Sequence, residues 1–156
     1  MFIGHLPAGY LAAKSLQAAG ARKAVFIGIL VGSIAPDFDM LWFYLVDHGS
    51  THHHDYLTHR PIVWACILAL GLVFRKGLLI GFGLGGLFHL VLDSIAGKVT
   101  WGWPFFDTAT TLVVVEATHD HWIKSFLSHW TFKVELVVVA VAIIVLVRSN
   151  FKGKSP

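Results

Sequence analysis

The chain has 156 residues, enough for one domain. Hydrophobic residues make up 56% and charged residues 13%, with a mean hydropathy of +0.70; a soluble domain carries about 25% charged residues, and so much apolar surface does not fit inside a soluble core, which leaves lipid as the matching solvent. The net charge of +3 comes from small clusters and not from a basic face interleaved with aromatics, which excludes a nucleic-acid-binding protein.

These bounds predict an all-α fold, a single membrane-embedded domain over residues 1–156. The expected architecture is an integral bundle of four to five helices, some short or kinked. The first apolar segment, Leu6 to Ala19, ends at Gly20 as a helix with a glycine stop. The second runs from Ala24 to Val46 and carries Pro36, Asp37 and Asp39 in its latter half. Arg22-Lys23 before it and Ser33-Ile34-Ala35 within it imitate a signal peptide with its cleavage site. Pro36 would follow the cut, where signal peptidases tolerate it poorly, so the stretch reads as an uncleaved span. Proline within a span kinks it and frees a backbone carbonyl, which suits a site lined by protein or water.

A histidine-dense loop follows, Asp47 to Arg60, then an apolar segment from Pro61 to Phe74 that stops at Arg75-Lys76. The next segment, Gly77 to Ala96, repeats glycine at 77, 81 and 85, the pattern that lets helices approach closely. No strand precedes these glycines and no Gly-Lys-Ser/Thr follows, so they are not a phosphate loop. The connection from Gly97 to Lys133 holds Trp101, Trp103, Trp122 and Trp130, the composition of a membrane-interface belt. A last apolar run, Val134 to Val147, ends in a basic tail. Several runs fall short of the roughly 20 residues a span needs. Cys66, the single cysteine, lies in an apolar run and reads as a packing residue.

Charge sorts the chain into two sides. Lys14, Arg22, Lys23, Arg75, Lys76, Arg148, Lys152 and Lys154, eight of twelve basic residues, mark one side; all nine acids and all ten histidines fall toward the other. The positive-inside rule places the basic side in the cytoplasm and the His-rich side toward the periplasm or exterior. At a helical rise of about 1.5 Å per residue, His5, Asp37, Asp39, His89 and Asp93 reach a common level about 20–26 Å from the basic breaks. His54 and His59 sit in the loop just above.

Ionisable groups at membrane depth cost several kcal/mol unless paired, metal-bound or wetted. His89 and Asp93 are spaced i,i+4 on a predicted helix and share one face. With His5, Asp37, Asp39, His54 and His59 they form a set of seven N and O ligands. That is too many for one tetrahedral zinc and suits two adjacent ions bridged by a carboxylate. Zinc comes first because imidazoles dominate; manganese and iron also accept this set. A proton or ion pathway is the rival use of the same residues. The remaining histidines, His48, His52, His119, His121 and His129, read as interface residues, and the run His52-His53-His54 is equally compatible with a solvated loop. Ser94 has no nucleophile elbow around it.

The order of motifs is His5-x3-Gly9, Pro36-Asp37-x-Asp39, His54-x4-His59, His89-x3-Asp93 and Trp103-Pro104-Phe105. In this order and spacing they resemble the bacterial inner-membrane metal-dependent hydrolases of the YdjM type, also described as LexA-binding and membrane-associated. The resemblance covers about residues 1–105. It implies a multi-pass protein of the bacterial inner membrane and a metal-dependent hydrolase, distantly similar to zinc-dependent phospholipase C and the P1-type nucleases. The family's central motif reads His-Arg-Gly-x-Thr-His-Ser; here Asp55 replaces the arginine and Arg60 the serine, which moves the positive charge to a new position.

The expected activity is hydrolysis of a phosphoester by a metal-activated water. Asp37 or Asp39 would bridge the ions and accept the proton, with Thr58 and Arg60 in support. The expected partners are membrane lipid and an amphipathic or small-molecule substrate, because the site sits at headgroup level. The alternatives are a non-enzymatic protein with a structural metal site and an ion or metal transporter. The nearly non-polar cytoplasmic halves of the helices count against the transporter.

Overall fold

The computed structural model describes residues 3–152, so Lys154 of the basic tail lies outside the described residues. Among these there are seven α-helices and no strand. They are α1 (His5–Ala18), α2 (Lys23–Gly32), α3 (Asp39–Leu45), α4 (Pro61–Val73), α5 (Gly77–Ala96), α6 (Trp122–Ser128) and α7 (Trp130–Lys152). Three short 3₁₀ turns accompany them: Pro36–Phe38 before α3, and His53–Asp55 and Leu57–His59 within the histidine loop.

Among the described residues two helices are long and apolar enough to cross a membrane, α5 and Trp130–Phe151 of α7. The segment read as one kinked span is two arms, Lys23–Gly32 and Pro36–Leu45, bent by 42°; together they qualify as a third. Pro36 is the physical cause, because it lacks the N–H that would continue the ladder. It opens the 3₁₀ turn and so starts the second arm. α4, with 13 residues, and α1, with 14, are shorter. The last helix begins at Trp130, four residues before the apolar run, so its span draws on the interface tryptophans.

The glycine repeat of α5 makes the central contact. A Cβ at Gly81 would collide with the Val25 carbonyl and one at Gly85 with the Ile29 carbonyl of α2. From the other side, Gly28 and Gly32 meet the Leu78 and Phe82 backbone in the same way. Small residues on both helices therefore bring two backbones together, where dispersion supplies the attraction that lipid-exposed side chains cannot. α4 also packs on α5, and α1 packs on both α2 and α7. At the start of α1, Glu135 of α7 accepts the amides of Ile3 and Gly4 at 2.8 and 3.0 Å. This holds the first turn, and with it His5, in place.

The apolar core is small, built on Trp64, Leu90 and Val99. Large apolar side chains instead face outward along α7, among them Val137, Ile143 and Ile144. Cys66 lies exposed on α4, so it faces the surroundings of the bundle and is not enclosed. Buried polarity gathers at one end, where His5, Asp39, His59, His89 and Asp93 are enclosed. After α5 the chain folds back over this end. Leu112 and Val113 donate to the carbonyls of Ser94 and Ile95 at 2.7 and 2.9 Å. That fastens the connection beside the last turn of α5.

Candidate metal centre

Two helices, a proline turn and one loop deliver the titratable side chains. α1 contributes His5 from its first residue, α5 contributes His89 and Asp93 one turn apart, and the proline turn contributes Asp37. The histidine loop adds His54 and His59 from its two 3₁₀ turns. Asp93 is central. Its carboxylate lies 3.0 Å from His5 Nε2, 3.0 Å from His89 Nε2, 3.5 Å from His59 Nε2 and 3.7 Å from His54 Nε2. Asp37 closes the other side, 3.4 Å from His5 Nδ1, 3.5 Å from His89 Nε2 and 3.9 Å from His59 Nε2. Six of the seven expected ligands thus converge on one point.

The far nitrogens of three of these imidazoles are fixed. His89 Nδ1 meets the Ser33 carbonyl at 2.9 Å. That carbonyl belongs to the C-cap of α2, at the break between the two arms. His54 Nδ1 meets the Lys98 carbonyl at 3.1 Å, and His59 Nδ1 meets Asp39 Oδ2 at 2.7 Å. Each partner is an acceptor, so the Nδ1 donates to it and the Nε2 is the ring nitrogen turned toward the cluster. This is the arrangement by which metal-binding histidines are oriented.

Asp39 has a different place from Asp37. It accepts from His59 and from the Thr58 hydroxyl, standing behind His59 and not in the centre. Arg60 points away as well. It donates to the Asp55 carbonyl at 2.9 Å and lies over the Trp103 ring. The two residues that depart from the family motif therefore contact each other. Thr58 is further held through its carbonyl, which accepts from Trp64.

Inside the cluster, both nitrogens of His5 and the Nε2 atoms of His59 and His89 are buried and have no hydrogen-bond partner. Unsatisfied buried polar atoms cost about 1–3 kcal/mol each. Four such nitrogens, gathered around the Asp37 and Asp93 carboxylates, are an arrangement that a cation resolves. Donors about 2.0–2.2 Å from one ion stand roughly 3–4 Å apart, the range seen here. His5, Asp37 and His89 form one triad of this kind, and His59, His89 and Asp93 form another. The residues present fit divalent metal, and the donor set exceeds what one tetrahedral ion takes.

The loop histidines are shifted in opposite directions. Burial lowers His53 to about 4, aided by neighbouring His59, and burial lowers His54 to about 3. Both are neutral at pH 7, as ligands must be. For His59 burial acts downward, but Asp39 and then Asp93 outweigh it and raise it to about 9. Its surroundings favour positive charge.

Sequence reasoning missed His53. With His54 and His59 it makes a third group of donors, and its Nδ1 lies 3.9 Å from Asp39 Oδ1. The only signal was adjacency to His54, which a solvated histidine loop would share. It also missed Ser33, Lys98 and Glu135, which act through backbone atoms or on them. His121 caps α6 and His129 pairs with Thr131 at the start of α7; neither they nor His119 belongs to the donor groups of the centre.

A cavity of about 910 Å³ reaches the centre through Asp37 and Asp93, and His53, His54 and Lys98 also line it. A family model described as YdjM inner membrane protein matches residues 1–154. No curated protein and no solved structure matches the chain.

Proposed function

We propose that this chain, which belongs to the YdjM inner membrane protein family, is a membrane-bound metal-dependent hydrolase of phosphoesters. One observation carries the reading. His5, His59, His89 and Asp93 are buried, whereas Asp37 is 38% exposed and lines the cavity. A structural metal site would be closed; this one has an approach for water and substrate.

His5, His89 and Asp37 would hold one ion, and His59 with Asp93 would contribute to a second. Zinc suits the imidazole-rich set best, and manganese or iron is compatible with it. When bound, such ions act as Lewis acids and bring the pKa of a coordinated water toward about 7. The chain's own residues do the rest. Asp37, the most exposed carboxylate of the set, is placed to take the proton from an entering water. Asp39, held by Thr58, keeps His59 in the tautomer that presents Nε2. Ser33 and Lys98 do the same for His89 and His54 through their carbonyls. Ser94 is already engaged, donating to Leu90 and accepting from Trp101, so it is no nucleophile.

The centre faces the periplasm or exterior in this reading, because the acids and histidines gather opposite the basic helix ends. The test is a panel of phospholipids and generic phosphodiesters, with zinc or manganese restored after chelation. Turnover should vanish in Asp37→Asn and largely survive in Ser94→Ala and Cys66→Ala. Loss of turnover in Ser94→Ala with metal retained would indicate a covalent route. No turnover on any phosphoester, with the metal present and closed to water, would favour a structural site.

A further inference from the structure

The cavity beside the centre has a mixed lining. Asp37, Asp93, His53 and His54 are its polar part; Met40, Phe43 and Tyr44 from α3, with Val115, Trp122 and Phe126 from the returning connection and α6, are its apolar and aromatic part. Lys98 is the one basic residue among the described residues that line it. Its side chain is exposed, while its carbonyl fixes His54. One cation is thus tied by its backbone to the edge of the centre. Asp55 and Glu116 also border the cavity, but Arg60 engages Asp55.

The surface around this end is apolar as well. Leu41, Trp42 and Leu45 of α3 are 61, 58 and 71% exposed. Phe105, Phe106, Leu112 and Trp122 of the connection and α6 are 59–80% exposed. None of these residues belongs to α5 or α7. Exposed apolar side chains, rich in aromatics, on the same elements that line the cavity are what a lipid headgroup region accepts and water does not.

We propose that this cavity binds the alkyl or acyl part of a membrane phosphate ester against Phe43, Tyr44, Trp122 and Phe126, with Lys98 neutralising the phosphate beside the histidine–aspartate centre. The proposal rests on the phosphoesterase reading and names its substrate class: an amphiphile drawn from the bilayer. The volume suffices, since pockets of about 300–1,000 Å³ hold drug-sized ligands. The position suffices too, because the cavity reaches Asp37 and Asp93 of the centre and is lined by α3, α6 and the connection, the elements that carry the exposed aromatics. Lys98 is a specificity residue here, acting on the ligand's charge and not on the reacting atoms.

The test is binding, read by calorimetry on the metal-loaded protein in lipid nanodiscs. The probes are inorganic phosphate, butyl phosphate and octyl phosphate, with empty nanodiscs subtracted. Octyl phosphate should bind at least about tenfold more tightly than butyl phosphate, since each buried methylene contributes about fourfold. Phe126→Gln should flatten this chain-length dependence, and Phe43→Gln serves if that variant folds poorly. Lys98→Gln should weaken both alkyl phosphates several-fold and leave their ratio unchanged. Equal affinity for butyl and octyl phosphate, or a ratio unaffected by both phenylalanine variants, would overturn the proposal. Turnover of a short water-soluble phosphodiester without chain-length dependence would sink the lipid cavity and keep the hydrolase. Chain-length-dependent binding without turnover of any phosphoester would do the reverse.

Discussion

Replacing Asp39 by asparagine separates a residue that orients a ligand from one that is a ligand. The asparagine side chain has the same shape, and its amide oxygen can still accept the His59 Nδ1 proton now held at 2.7 Å. What disappears is the charge. Partners of this kind typically change metal affinity 10–100-fold, which corresponds to about 1.4–2.8 kcal/mol. Removing a donor from the centre itself, as in His89→Ala, should cost far more, because it also leaves a cavity among buried polar atoms. A second readout follows from the metal-free protein. Burial lowers the His59 pKa, yet Asp39 and Asp93 raise it to about 9 from 6.5. The pair therefore stabilises the metal-free fold fully below about pH 6.5 and loses that contribution as pH rises through about 9. In Asp39→Asn the His59 titration should move down and this window should narrow. The assays are zinc competition with a chelating dye in detergent and imidazole NMR over pH. Zinc loss in Asp39→Asn as complete as in His89→Ala would make Asp39 a ligand, against the geometry. Unchanged affinity with an unchanged His59 titration would refute the orienting role.

Three further outcomes are expected. Gly81→Ala should destabilise the protein in thermal unfolding by about 1–3 kcal/mol, because its Cβ meets the Val25 backbone, whereas Gly77→Ala, whose Cβ would sit 3.4 Å from Ala24 and Val25 side chains, should stay within about 0.5 kcal/mol. Burial, reinforced by a hydrogen bond to Asp47, pushes the Tyr56 phenol up to about 12; tyrosine absorbance should show a late ionisation near that pH, and Tyr56→Phe should remove it. In a Cys66→Ala background, Ser50→Cys should react with an impermeant thiol reagent in intact cells and Lys76→Cys should not; the opposite pattern would reverse the orientation.

The all-helical architecture was legible because its signals are local. Apolar runs, glycine and proline stops and the four-residue glycine repeat each act over one or two turns, and Gly81 and Gly85 do meet α2 as that repeat implies. The common level of His5, Asp37, His89 and Asp93 was also legible, because helical rise converts sequence distance into depth. Which carboxylate points inward was not. Asp37 lies in the 3₁₀ turn and Asp39, two residues on, opens α3, and the choice depends on where the loop sets His59 and Thr58. The role of His53 was hidden for the same reason, since 3₁₀ turns at His53–Asp55 and Leu57–His59 leave no periodic trace. The carbonyls of Ser33 and Lys98 are invisible to any reading of side-chain type. Asp55 and Arg60, read as departures from a motif, turn out to face each other.

The most direct measurement is the metal content of well-folded, detergent-purified protein by elemental analysis, with His89→Ala and Asp93→Ala alongside. Wild-type protein should carry at least stoichiometric divalent transition metal, zinc above all, and each variant should lose most of it while remaining folded. Folded wild-type protein free of transition metal, and still free after zinc is supplied, would contradict the metal centre on which the hydrolase reading depends.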